Sequence, residues 1–171
     1  MVTKFLQRLT WLIALVALQM VVFNHIHVMG YATPLCFVYF VMLFPLGTPR
    51  WNILLWAFAC GMLADITMLT PGASAAAMTL TAMVQPVLLE SMRPKDAPED
   101  MQASIHLLGF WHYVYYSGML SLLFTLMFFL LQFFTFFHIE DFAISFAGSW
   151  ALTLVLCLLT ENIRSNKDKE E

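Results

Sequence analysis

Apolar residues run on along this chain for close to twenty positions at a time, broken only by short polar or turn-forming stretches. The runs lie at about 5–23, 28–46, 51–69, 73–89, 113–137 and 142–159. A helix crossing a hydrocarbon layer of about 30 Å needs about twenty such residues. The pattern therefore predicts an all-α integral membrane protein with six transmembrane helices, arranged as a single transmembrane domain over residues 1–171. The breaks are Asn24-His25-Ile26-His27, the turn Pro45-Leu46-Gly47-Thr48-Pro49-Arg50, the pair Pro71-Gly72, a polar loop over about 90–104, and Glu140-Asp141. Gly30 and Pro34 make the start of the second run irregular.

The composition removes most other classes. Of 171 residues, 61% are hydrophobic and 11% charged, with a mean hydropathy of +0.78. A soluble domain carries about a quarter charged residues, so no soluble catalytic domain is expected. A formal charge of −3 spread over short loops gives no nucleic-acid footprint. With six spans, all eight Lys and Arg residues fall on one side, and positive charge favours the cytoplasm. Both termini and the 90–104 loop are then expected to be cytoplasmic. The first run follows Lys4 and Arg8 without a small-x-small cleavage pattern, so it is expected to be a retained helix.

One acidic side chain stands inside an apolar run. In Gly61-Met62-Leu63-Ala64-Asp65-Ile66-Thr67-Met68-Leu69-Thr70-Pro71-Gly72, steps of four stack Ala57, Gly61 and Asp65 on one helical face. That face is small enough for a second helix to lie close, and the small residues Ala73 to Ala77 supply one. A carboxylate near membrane depth needs a reason. It can be a proton or cation relay, a ligand group, or an acceptor for the first backbone N–H groups of the following helix, with the Thr70 and Ser74 hydroxyls nearby. The position near the outer surface favours the last. Asn24 and His27 belong to the same outer end, and with Gly61, Asp65 and Gly72 they form the candidate pocket.

The remaining polar positions favour packing over chemistry. Ser117, Ser121 and Thr125 form one stripe, and Ser145, Ser149 and Thr153 another; in lipid such stripes mark helix contacts. Phe128, Phe129, Phe133, Phe134, Phe136 and Phe137 cover too much of one helix to be wholly interior, so Phe129 and Phe133, with Ser145 and Ser149, are the candidate contacts for a partner helix. Trp111, Tyr113, Tyr115 and Tyr116 suit an interfacial aromatic belt. Gln85-Pro86 should kink the fourth helix, with Gln85 able to satisfy the freed carbonyl. His25 and His27 lack a third ligand, so no metal is expected, and no span core holds the paired histidines of a haem site, so no cofactor is expected either. Cys36, Cys60 and Cys157 are widely spaced core residues. No Gly-x-Ser-x-Gly is present, and the Arg93 to Asp100 loop reads as a solvated connector.

Three pieces together resemble the MreD family of bacterial rod shape-determining membrane proteins. They are Leu18 to Pro34 with Asn24-His25-Ile26-His27, the Gly61 to Gly72 stretch with its Gly-x-x-x-Asp and Thr-Pro-Gly, and Gln85-Pro86 leading to Arg93-Pro94-Lys95-Asp96. Members often carry an arginine before the proline, where this chain has Gln85. The resemblance implies a non-enzymatic scaffold of cell-wall elongation in the bacterial inner membrane. It would bind the single-span protein MreC, and through it RodA, a penicillin-binding transpeptidase and MreB, amid membrane lipid and without cofactor. It also implies likeness in fold to the substrate-binding components of energy-coupling-factor transporters. A vitamin-type transporter subunit, with an outward pocket near Asp65, Asn24 and His27, is the alternative.

Overall fold

A computed structural model describes residues 2–18, 37–68, 70, 72–94, 101–132 and 139–167, and these are helical apart from turns and short connectors. In chain order the helices are α1 (Val2–Leu18), α2 (Val38–Met42), α3 (Arg50–Met68), α4 (Ala73–Ser91), α5 (Ile105–Leu108), α6 (Phe110–Gln132) and α7 (Ile139–Lys167). Three stretches, Ala73–Ser91, Phe110–Gln132 and Ser145–Arg164, are long and apolar enough to cross a membrane. Helix α3 has 19 residues, about 28 Å at 1.5 Å per residue. The second predicted span is described only from residue 37, where α2 is buried on every side.

Helix α4 is the centre of the bundle. It packs on α3, α6 and α2, and α6 in turn packs on α7. Small residues let this happen, because Ala73, Ala75, Ala77 and Ala82 are buried along α4 and allow close backbone approach. Helix α6 is apolar around its whole circumference, so hydrophobicity cannot orient it, and its polar stripe does. Ser117, Ser121 and Thr125 are buried, as are Ser145, Ser149 and Thr153 of α7. Thr125 and Thr153 hydroxyls donate to the Ser121 and Ser149 carbonyls one turn back, which keeps them satisfied in an apolar setting. Trp150 Nε1 donates to the Gly118 carbonyl at 3.1 Å and joins the two helices.

Outside, the helices are apolar too. Trp51, Leu55, Phe58, Met62 and Ile66 form an exposed stripe on α3, and Met83 and Val87 on α4, Val155, Leu159 and Ile163 on α7 and Leu6 and Ile13 on α1 are exposed as well. Large contiguous apolar surface of this kind is not left to water.

Several sequence expectations need correction. Tyr113 and Tyr116 are fully buried, so only Trp111 and Tyr115 of the expected aromatic belt face outward. The reason is helical phase: positions 113 and 116 lie on the same side of α6 as Ser117 and Leu120, which are buried. Gln85 does not satisfy a carbonyl freed in its own helix; its amide donates to the Phe44 carbonyl and the Tyr116 hydroxyl, each at 3.1 Å. Glu140 and Asp141 belong to α7, which continues through Arg164 to Lys167. Acid at a helix start and base at its end both suit the helix dipole. The far end of the 90–104 loop is packed: Met101 and Ala103 are buried, and the Met101 carbonyl accepts from Leu46 N at 2.9 Å.

Replacing Trp150 with Phe keeps an aromatic, if smaller, side chain but removes the bond to Gly118. Hydrogen bonds between membrane helices average about 0.6 kcal/mol. Thermal unfolding in detergent should accordingly show a small loss of stability, with the helical content unchanged.

Candidate functional site

The loop between α3 and α4 has a problem built into it. Gly72, the residue before α4, takes φ 83°, a left-handed conformation that favours glycine. A helix start normally draws on the side-chain oxygen of that residue to satisfy the second or third N–H of the helix. Glycine has none, and no side chain at this position caps α4.

Asp65, one turn before the end of α3, supplies the missing acceptor. Its Oδ1 accepts from Ser74 N at 2.8 Å and its Oδ2 from Ala75 N at 3.0 Å. The Thr70 hydroxyl donates to Oδ1 at 2.9 Å, and Thr70 N donates to the Asp65 carbonyl at 3.2 Å. The carboxylate therefore holds two of the free N–H groups of α4 at the positive end of its dipole. Ser74 contributes its backbone, whereas its hydroxyl has no hydrogen-bond partner among the described residues.

Gly61, one turn earlier on the same face, lets the two backbones meet. A Cβ placed there would lie 2.5 Å from Ala75 Cα and 2.8 Å from the Ser74 carbonyl oxygen. Both are backbone atoms and cannot swing aside. Ala57, a further turn back, is also fully buried. Gly61, Asp65 and Gly72 are thus brought together as one joint. Asn24 and His27 lie outside the described residues.

Beside the joint is a groove of about 940 Å³ lined by Phe58, Met62, Asp65, Ile66, Gly72, Ala75, Ala76, Thr79 and Leu80. It is open and nearly all apolar. The one charged group in its lining, Asp65, is 8% exposed and already accepts from three donors. A group so engaged is poorly suited to relay a proton or seize a ligand.

The proposed partner contacts fare differently. Phe129 is buried against Phe128 and Phe146, with centroids 5.7 and 6.4 Å apart, and Ser145 and Ser149 are buried inside the bundle. These three do not form an outer docking face, because the polar stripes of α6 and α7 are covered within the chain. Phe133 lies outside the described residues.

A second polar cluster at the opposite end was not singled out from sequence. Glu161 is 1% exposed and accepts from the Tyr39 hydroxyl at 2.7 Å. Arg164 lies 3.6 Å from the same carboxylate oxygen and donates to Gln102 Oε1 at 2.5 Å. The signal was available: the α7 stripe Ser145, Ser149, Thr153, extended by two further steps of four, reaches Cys157 and Glu161, which are both buried. Among the described residues, no group of three or more His, Cys, Asp or Glu side chains could hold a metal ion.

Comparison with known protein families, with curated proteins and with solved structures finds no match for this chain.

Two substitutions separate the parts of the joint. Asp65→Asn presents an amide to donors and loses at least one accepted bond, which should cost about 1–3 kcal/mol; the midpoint of thermal unfolding in detergent should fall accordingly. Gly61→Ala should destabilise by about 1–3 kcal/mol through overpacking. Gly118→Ala should cost less, since its Cβ meets only the movable end of Leu154 at 3.3 Å.

Proposed function

We propose that the chain is a six-span protein of the bacterial inner membrane, with both termini cytoplasmic, that serves as a non-enzymatic scaffold of cell-wall elongation. In this role it holds MreC, and through MreC it reaches RodA, its transpeptidase and MreB. The observation that carries the proposal is the engagement of Asp65. The one acid of the motif that resembles the MreD family is spent as a strut between two helices. What is left to act is surface. The α3 stripe Trp51, Leu55, Phe58, Met62 and Ile66 suits lipid or a neighbouring transmembrane helix. It replaces the buried Phe129, Ser145 and Ser149 as the face on which a partner would lie.

The orientation rests on charge. Arg8 and Arg164 line one cavity, Arg50 begins α3, and Arg93 follows the end of α4, which runs antiparallel to α3. All four arginines thus sit at one end of the bundle, opposite Asp65, as a cytoplasmic end requires. Among the described side chains of α3, every exposed one from Trp51 to Ile66 is apolar.

The groove beside Asp65 is the feature that favours the alternative, a substrate-binding transporter subunit. A pull-down of the tagged protein from its native host in mild detergent separates the two. MreC and wall synthases should be recovered, and Leu55→Arg on the exposed stripe should reduce their yield. Recovery of an ATPase-bound coupling subunit, or of a small solute bound near Asp65, would replace the scaffold with the transporter.

A further inference from the structure

We infer that the arginine-bearing end of the bundle contains a binding site for the phosphodiester of an anionic phospholipid headgroup. A cavity of about 130 Å³ lies there among Arg8, Trp11, Phe44, Gln102 and Arg164. A single water needs about 10–15 Å³ of such space, so the cavity has room for a tetrahedral phosphate group. A more open cleft of about 450 Å³ shares Arg8, Pro45 and Gln102 with it and adds Thr48 and Asn52.

Charge selects the ligand. Arg164 is engaged by Glu161 and Gln102 and is held in place by them. Arg8 has its guanidinium carbon 4.8 Å from the centroid of the Phe44 ring and, among the described residues, no carboxylate within ion-pairing distance. Among the described residues of this partly buried cleft, two guanidinium groups stand against one carboxylate, an excess of positive charge. A cation in such a place calls for an anion. A phosphodiester bearing one negative charge matches it, and guanidinium groups bind phosphate oxygens in a paired geometry.

The walls select a lipid over a soluble phosphate ester. Trp11, Leu43 and Phe44 give the cavity an apolar side. On α1, Leu9 and Ile13 follow Arg8 on an exposed face along which acyl chains can lie while the headgroup reaches into the cleft. Trp11 faces the other way, into the cavity wall, with its ring edge-on to Tyr39 at 6.2 Å. The site is separate from the Asp65 joint, and it stands whether or not the chain serves wall elongation.

The test uses the purified full chain in mixed micelles and native mass spectrometry, with palmitoyl-oleoyl phosphatidylglycerol as the anionic probe and the matching phosphatidylcholine as the zwitterionic one. Phosphatidylglycerol should be retained on the wild type and on the control Arg93→Gln. Retention should fall about tenfold in Arg8→Gln, as loss of a charge-assisted hydrogen bond predicts. Arg8→Lys keeps the charge without the fork and should fall by less, which guards against a misfolded first variant. Equal retention by wild type and Arg8→Gln would overturn the site. So would phosphatidylcholine held as firmly as phosphatidylglycerol. Displacement of the lipid by millimolar glycerol 3-phosphate would overturn the lipid assignment in favour of a soluble phosphate ester.

Discussion

The bundle depends on a helix start being satisfied by a side chain from another helix. An α4 that began in water could leave its first N–H groups to solvent. In an apolar layer each unsatisfied group costs several kcal/mol. The left-handed turn at Gly72 excludes the usual remedy of a serine or aspartate at the cap. Asp65 meets the need from one turn inside α3. In doing so it fixes the rotation of α3 about its axis, because the carboxylate reaches Ser74 and Ala75 only when Gly61 faces the α4 backbone. The exposed stripe from Trp51 to Ile66 is the other side of that same rotation.

From α4 the order spreads by small contacts. Its buried alanines admit α3, Gln85 crosses to Phe44 and Tyr116, and α6 carries the packing on to α7 through Gly118 and Trp150. The far end closes with Tyr39, Glu161, Arg164 and Gln102. Among the described residues, each end of the bundle holds one buried carboxylate, Asp65 or Glu161. At one end two backbone N–H groups and the Thr70 hydroxyl donate, and at the other the Tyr39 phenol donates while Arg164 pairs at 3.6 Å.

How much of this could be read beforehand follows from what apolar runs can and cannot say. Helices α3 and α4 lie within a few residues of the expected spans, since charge and Pro-Gly punctuation mark their ends. The Asp65 stretch stood out because an acid among apolar residues has few explanations. The inside and outside of α6 were harder to tell apart. Lipid and protein interior are both apolar, so Tyr113 and Phe129 carry no mark of which they face, and only the serine stripe does. The end of α7 is hidden for a related reason. The sixth apolar run stops near residue 159, yet α7 continues to Lys167 and its buried stripe reaches Glu161. Arg8 and Gln102 are far apart in sequence, and only the folded chain places them on one cavity.

The remote cap also has a consequence for the order of events at synthesis. The acceptor precedes its donors in the chain by nine and ten residues, so Asp65 emerges first and waits for Ser74 and Ala75. Until they arrive, α3 carries an unpaired acid and α4 has no complete beginning. Neither helix is a finished guest of the lipid alone. The Asp65 carboxylate and the first N–H groups of α4 are therefore matched only once both helices of the hairpin are present, and α3 and α4 should fold as a pair.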